Sequence, residues 1–213
     1  MKKKSFFVAT SVLILFALWT SLVSFIDVCA IGPEGSFVGF GALNGAVHNL
    51  TGVNMTLYTI TDWLGLVPIA TALSFAILGF VQLIKRKSLF KVDYSIRALG
   101  IFYITVMAFY AFFEIVVINY RPILINGVLE ASYPSSTTIL VTTIMPTAMM
   151  QLKQRIKNLI FKRIIFVLSC VFIGFMVVGR LLSGVHWVTD IIAGLILSIG
   201  LVLMYYSLAK IKC

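Results

Sequence analysis

Long apolar segments recur along this chain and are separated by shorter, more polar stretches. Each segment carries at most one charged residue, and most are long enough to cross a bilayer as a helix. They lie near residues 6–26, 64–84, 98–118, 135–150, 164–182 and 187–208. The pattern predicts an all-α membrane protein, a six-transmembrane-helix bundle.

The composition agrees with this prediction. Hydrophobic residues make up 61% of the 213 positions and charged residues 11%, whereas a soluble domain carries about 25% charged residues. There is no internal repeat or long linker, so we expect one domain over residues 1–213. Segment 27–61 joins the first two spans and is too long for a simple turn. We expect it to fold against the non-cytoplasmic membrane surface, with a short helix over 41–50.

The basic residues set the expected orientation. The net charge is +10, and 15 of the 17 lysines and arginines fall at residues 2–4, 85–97, 153–163 and 210–212. Because each cluster borders an apolar run, as cytoplasmic loops do, we expect both termini to be cytoplasmic. The same distribution argues against a nucleic-acid partner. The three cysteines have no metal-ligand spacing, and no metal or cofactor is expected.

Arg121 and Arg180 are the only basic residues outside these clusters, and both fall at the opposite membrane surface. A guanidinium group binds phosphate oxygens through two parallel hydrogen bonds and stays charged at any relevant pH. Three roles are open: phosphate binding, contact with lipid headgroups, or pairing with Glu114 or Asp190.

His186 and Asp190 lie four residues apart at the start of the last span, so they share one helix face. An aspartate that accepts a hydrogen bond from one imidazole nitrogen leaves the other nitrogen as a nucleophile. A structural pair that caps the helix is the alternative. Nearby, Ser135, Ser136 and Thr137 open the fourth span, and the free amides of a helix start form an anion site.

The segment that contains Arg180, His186 and Asp190 resembles a motif of the type 2 phosphatidic acid phosphatase family, whose fold is shared with vanadium haloperoxidases. The family pattern is Lys-x6-Arg-Pro, then Pro-Ser-Gly-His, then Ser-Arg-x5-His-x3-Asp. The third motif is present as Arg180-x5-His186-x3-Asp190, with Gly179 in the serine position. The three motifs fall in family order within residues 114–190.

The first two motifs are altered. The first keeps Arg121 and the proline after it but has Glu114 in the lysine position. The second keeps a Pro-Ser pair ending at Ser135, but Ser136 replaces glycine and Thr137 replaces histidine. In the family that histidine protonates the leaving oxygen, which Thr137 cannot do at neutral pH, and general acid catalysis is worth about 10²–10⁴-fold.

The resemblance implies a phosphatase for membrane lipid phosphates or polyprenyl pyrophosphates, acting at the non-cytoplasmic face. His186 would form a phosphohistidine and Asp190 would orient it, while Arg121, Arg180 and the amides at 135–137 would hold the phosphate. Three accounts of the altered residues stay open. Glu114 pairs with Arg121 on one helix face, or Glu114 in its protonated form donates the proton, or His48 supplies the acid from segment 27–61.

A second function is also consistent with the sequence. A catalytically weak relative would bind a phosphorylated lipid as a sensor, carrier or partner subunit. In both cases the expected partners are a lipid phosphate and the bilayer. The sequence leaves the oligomeric state open.

Overall fold

The chain folds into helices that form a bundle, with the loops gathered at its two ends. A computed structural model describes residues 2–209, with side chains from residue 4 onward. Its α-helices are α1 Lys2–Phe25, α2 Gly41–Thr51, α3 Met55–Leu64, α4 Leu66–Arg86, α5 Tyr94–Ile115, α6 Ser136–Arg155, α7 Leu159–Leu182 and α8 Val188–Leu208. Within these described residues there is no extended strand, only isolated β-bridges.

The longest helices form an integral membrane fold. Within residues 2–209, five helical stretches are long and apolar enough to cross a membrane: α1, the continuous pair α3–α4, α5, α7 and α8. Their outer faces expose large apolar side chains such as Leu73, Ile104 and Val171. Such surfaces fit a lipid environment and not water. The all-α membrane fold predicted from the sequence is therefore confirmed.

Helix α6 differs from the other long helices. It packs against α4, α5, α7 and α8, and its 20 residues span about 30 Å. Its threonines make it less apolar, but Thr143 and Thr147 each donate a hydrogen bond to a carbonyl one turn earlier. Helix α6 is not among the five apolar candidates, so the six-span bundle stays a prediction.

The segment between α1 and α4 is folded and packs over one end of the bundle. It contains α2, which covers the residues where a short helix was predicted. The buried Asn44 amide donates a hydrogen bond to the Thr189 hydroxyl at 2.9 Å. Gly39 lies so close to α1 that a Cβ there would be 1.6 Å from the Val23 carbonyl oxygen. The first contact holds α2 against the start of α8, and the second holds the residues before α2 against α1.

The basic clusters and the candidate site residues lie at opposite ends of the bundle. The basic cluster at 85–97 lies around the connection from α4 to α5, and the one at 153–163 lies around the connection from α6 to α7. The candidate site residues lie at the end of α5, the start of α6 and the turn from α7 to α8. This separation fits the predicted orientation, which stays a prediction. Lys210, Lys212 and Cys213 lie outside the described residues, as do the side chains of Lys2 and Lys3.

Candidate active site

Three segments far apart in sequence meet at one end of the bundle. The start of α6 contacts α8 through the Ser135 amide, which donates to the Asp190 carbonyl at 3.1 Å. The loop after α5 contacts the same place, because the Trp187 indole N–H donates to the Tyr120 carbonyl at 2.7 Å. The three segments that carry the motifs therefore lie close together.

The His186 imidazole is buried and held at one nitrogen only. Its Nδ1 atom lies 3.1 Å from the carbonyl oxygen of Ser132. Because a carbonyl only accepts hydrogen bonds, the proton belongs on Nδ1 and Nε2 carries a lone pair. Nε2 is buried and makes no hydrogen bond within the described residues. The arrangement presents Nε2 as a nucleophile.

The pKa of His186 lies well below its usual range. Burial is the largest cause, and the positive charges of Arg121 and Arg180 act in the same direction. A neutral imidazole is the form with a free lone pair, so this environment keeps His186 in its nucleophilic state.

Asp190 does not bond the imidazole as the sequence suggested. Its Oδ2 atom lies 3.9 Å from Nδ1 of His186. The two carboxylate oxygens instead accept from the Ser132 hydroxyl at 2.6 Å, the Trp187 amide at 3.0 Å and the Asn119 side-chain amide at 3.1 Å. Asp190 is therefore linked to His186 through Ser132, whose hydroxyl donates to Asp190 and whose carbonyl oxygen accepts from the imidazole.

Arg180 is buried in the site, with 2% of its surface exposed. One terminal nitrogen donates to the Asp62 carboxylate at 3.1 Å and to the Thr137 hydroxyl. The guanidinium also lies 5.0 Å from the Tyr58 ring centre. Its Nε and other terminal nitrogen are buried and make no hydrogen bond within the described residues. Two nitrogens of the guanidinium, with three N–H donors, thus stay open for a ligand.

Arg121 pairs with Glu130 and not with Glu114, its partner in one of the three accounts. Helix α5 ends at Ile115, so Arg121 is not on the helix face that carries Glu114, and the proposed pair on one helix is wrong. Arg121 lies in a hairpin-like loop, where its amide donates to the Glu130 carbonyl and its Nε lies 3.0 Å from the Glu130 carboxylate. Its NH1 atom is buried and makes no hydrogen bond within residues 2–209.

Glu114 lines a cleft that reaches His186. The other walls come from α5, the loop before α6 and the first turn of α6, and include Phe109, Phe113 and Ser136. Within the described part of the chain, Glu114 makes no ion pair. Its side chain is exposed and interacts with Tyr110 one turn earlier on α5.

The start of α6 supplies fewer free amides than the sequence suggested. The helix begins at Ser136, and the amide of Ser135 is already bonded to Asp190, so Ser135 is not a free donor. The amides of Ser136 and Thr137 lie in the first turn, where helix geometry leaves them without an internal partner. The Thr137 hydroxyl binds Arg180.

His48 lies beside the site and not in the cleft. Its ring centre is 5.4 Å from that of Trp187, the neighbour of His186, and it is not among the residues that line the cleft. Partial burial lowers its pKa. Its role as a proton donor stays a prediction.

Four residues of the site were missed from the sequence. Asp62, Asn119, Glu130 and Ser132 hold Arg180, Asp190 and Arg121. They are ordinary polar residues of a helix or a loop, and nothing in their local sequence marks them. Within residues 2–209 there is no group of three or more His, Cys, Asp or Glu side chains placed to hold a metal ion.

Comparison with known proteins identifies the family. The model of the PAP2 superfamily matches residues 99–212, which is more than half of the chain. A similar solved structure is that of a transmembrane PAP2-type phosphatidylglycerolphosphate phosphatase from Bacillus subtilis, with a TM-score of 0.58 and 18% identity over 93% of each chain. No match was found among curated proteins. The protein described here belongs to the PAP2 superfamily.

Proposed function

We propose that this protein hydrolyses a membrane lipid phosphate or polyprenyl pyrophosphate at the non-cytoplasmic face, through a phosphohistidine on His186. One observation carries the proposal. At the same end of the bundle, Nε2 of His186, Nη1 of Arg121, and Nε and Nη1 of Arg180 are buried and make no hydrogen bond within the described residues. Buried donors without partners are costly, and a phosphate group would satisfy them.

In the first step, the Nε2 lone pair of His186 attacks phosphorus as the bond from phosphorus to the lipid oxygen breaks. The imidazole becomes positive, and its Nδ1–H stays bonded to the Ser132 carbonyl near the Asp190 carboxylate. Arg121 and Arg180 balance the charge on the non-bridging oxygens. The leaving oxygen takes a proton from water, because the Thr137 hydroxyl is too weak an acid to donate one at neutral pH.

In the second step, water attacks phosphorus and the bond from nitrogen to phosphorus breaks. The electron pair returns to Nε2, and the proton released by the water passes to solvent. Together the two steps convert one phosphate ester and one water into an alcohol and inorganic phosphate.

The membrane fold supports a lipid as the substrate. The cleft beside His186 is walled by Phe109, Phe113 and Ile139, which lie on the long helices α5 and α6. The similar Bacillus subtilis protein is described as a phosphatidylglycerolphosphate phosphatase. We therefore propose that the lipid chain lies in the bilayer beside α5 and α6 while its phosphate reaches His186.

The test is phosphate release from long-chain lipid phosphates and polyprenyl pyrophosphates by the purified protein in detergent. We expect turnover that His186→Ala abolishes and that His48→Ala, the matched change at the other histidine, retains. Trapping with a radiolabelled lipid phosphate should give an acid-labile phosphoprotein that His186→Ala does not form. Equal turnover by the protein and His186→Ala would exclude the mechanism.

The residues at the altered motif positions, Thr137 and Glu114, favour a second function. Thr137 binds Arg180 where a family member has its acid, and Glu114 adds a negative charge to the cleft. A lipid-phosphate-binding protein without efficient turnover would have these features. Saturable vanadate or lipid-phosphate binding without phosphate release would support it. Phosphate release by the protein at rates typical of enzymes would exclude it.

A further inference from the structure

A large apolar groove runs along the outside of the bundle. Residues of α4 and α5 form most of its walls, and Leu140 and Ile144 of α6, which packs against both helices, complete them. Its volume is about 830 Å³, within the range of pockets that hold small organic ligands. Leu73 and Ile104 line the groove and are exposed, so it opens toward the surrounding lipid. It shares no lining residue with the cleft beside His186.

The groove spans the depth of one leaflet of a bilayer. On α5 it extends from Tyr94 to Met107 and on α4 from Ile69 to Leu83, which is about 20 Å along each helix. The hydrocarbon core of one leaflet is about 15 Å thick. An extended acyl chain therefore fits along the groove, with the polar end of its lipid at the level of Tyr94.

One end of the groove lies among basic residues. The connection from α4 to α5 contributes Leu89 and Val92 to the lining, and residues 85–97 around it contain five basic residues and one acidic residue. Leu89 and Phe90 in this connection are apolar but exposed. Exposed apolar side chains between lysines and arginines are typical of a segment at the headgroup level of a membrane. The net positive charge at this level attracts anionic lipids.

Arg97 is the charged residue that lines this end of the groove. It is half-buried, and the ring centres of Phe90 and Tyr94 each lie 5.9 Å from its guanidinium carbon. Its Nε atom is buried and makes no hydrogen bond within the described residues, and none of their carboxylates pairs with it. Asp93, the acidic residue of this segment, pairs with Arg86 at 2.8 Å. Because buried donors are normally satisfied, Arg97 has the features of a phosphate-binding group.

We infer that the groove binds an anionic phospholipid of the leaflet at the basic end of the bundle, which is the expected cytoplasmic leaflet. Its phosphate binds Arg97, and one acyl chain lies along α4 and α5 as far as Met107. The charge of Arg97 selects this occupant, because an apolar helix of a second copy would fill the groove but leave Arg97 without an acceptor. Basic pockets between membrane helices on the cytoplasmic side typically bind anionic headgroups. Binding at this site does not depend on the proposed reaction.

The role of Arg97 is tested by the binding of two lipids to the full chain purified in detergent, measured by native mass spectrometry. The probes are phosphatidylglycerol and phosphatidylcholine with identical acyl chains. We expect the Kd to be about tenfold lower for phosphatidylglycerol, which corresponds to one charge-assisted interaction. In Arg97→Gln the two Kd values should become about equal. Arg163→Gln, which changes an exposed arginine at the same end of the bundle, should keep the original difference.

The path of the acyl chain is tested at Gly100, which lines the groove. A Cβ at this position would have no neighbour within 4 Å, so a leucine side chain would enter the groove without a clash with the protein. We expect Gly100→Leu to raise the Kd of both lipids by about tenfold, because the side chain and the acyl chain compete for one space. Gly174→Leu, at an equally open glycine of α7 outside the groove, should leave both Kd values unchanged.

Several results would overturn the lipid site. Equal Kd values for the two lipids in the unaltered protein would show that the groove does not select an anionic headgroup. A phosphatidylglycerol preference that survives Arg97→Gln would place the headgroup elsewhere, and unchanged Kd values in Gly100→Leu would place the acyl chain elsewhere. A dimer in the same spectra that Gly100→Leu dissociates would show that a second copy fills the groove.

Discussion

The Arg180 guanidinium lies 3.1 Å from the Asp62 carboxylate and joins α7 to α3. The arginine side chain is 2% exposed and that of the aspartate is 58% exposed. The guanidinium is therefore confined, while the carboxylate that orients it lies at the surface. Because one nitrogen is occupied by Asp62, the direction of the unpartnered nitrogens is fixed before any ligand arrives.

Replacing Asp62 with asparagine should loosen this orientation. We expect kcat/KM to fall by about tenfold, because a misplaced phosphate-binding group weakens transition-state stabilisation. The free energy of unfolding should fall by only about 1 kcal/mol, since one partner is exposed to solvent. Turnover assays and thermal unfolding in detergent measure the two effects, with Glu34→Gln, which changes an exposed loop carboxylate, as the control. An Asp62→Asn protein with unchanged kcat/KM would show that the pair does not position Arg180.

The second prediction concerns Ser132, which contacts Asp190 with its hydroxyl and His186 with its carbonyl. Ser132→Ala removes only the hydroxyl. We expect the free energy of unfolding to fall by about 1–2 kcal/mol, because Asp190 loses one hydrogen bond to a charged group. Asp190→Asn removes the charged group that accepts hydrogen bonds from three donors. The free energy of unfolding should therefore fall further, by about 3 kcal/mol.

Activity separates the two roles of Ser132. The carbonyl that holds the imidazole stays in place in Ser132→Ala, so kcat should fall less than in Asp190→Asn. Chemical denaturation and turnover on one lipid phosphate measure both effects. If the two variants lost stability and kcat to the same extent, Asp190 would not be the centre of this hydrogen-bond network.

Stability should depend on pH through His186. In the unfolded chain a histidine gains a proton as the pH falls through about 6.5, whereas the lowered pKa keeps folded His186 neutral. Below that pH the unfolded state binds more protons, so stability falls as the pH falls. The free energy of unfolding should be about 1 kcal/mol lower at pH 5.5 than at pH 7.5.

The comparison with variants isolates this effect. His186→Gln should remove that part of the pH dependence. His48 shifts in the same direction, because partial burial lowers its pKa, so His48→Gln is the control for a second histidine. Thermal unfolding at the two pH values gives the difference. An unchanged pH dependence in His186→Gln would mean that the folded imidazole titrates normally.

The helices were largely predictable because apolar length is a local property. The span expected at 187–208 is α8, Val188–Leu208, and the one expected at 64–84 is α4, Leu66–Arg86. The end of α5 was not predictable, because apolar residues continue past Ile115 to Ile118. That error placed Arg121 on a helix and gave it the wrong partner.

Only those residues of the candidate site that lie in a sequence motif could be predicted. Arg180, His186 and Asp190 lie within 11 residues and keep the family spacing. Their partners depend on packing between distant segments: Asp62 is 118 residues from Arg180, and Ser132 is 58 residues from Asp190. Hydropathy and spacing contain no information about such contacts, because they form only when α3 and the loop before α6 dock on α7 and α8.

The last prediction concerns Gly179, which stands where the family motif has serine. A Cβ at this position would lie 2.8 Å from Cγ2 of Thr61, because α3 packs closely on α7 here. Gly179→Ser should therefore destabilise the protein by about 1–3 kcal/mol, although it restores the family residue. Since Asp62 follows Thr61, displacement of α3 should also lower kcat/KM. Gly174→Ser, on the same helix with open space around it, is the control. Full stability and activity in Gly179→Ser would mean that α3 is not held against α7 at this point.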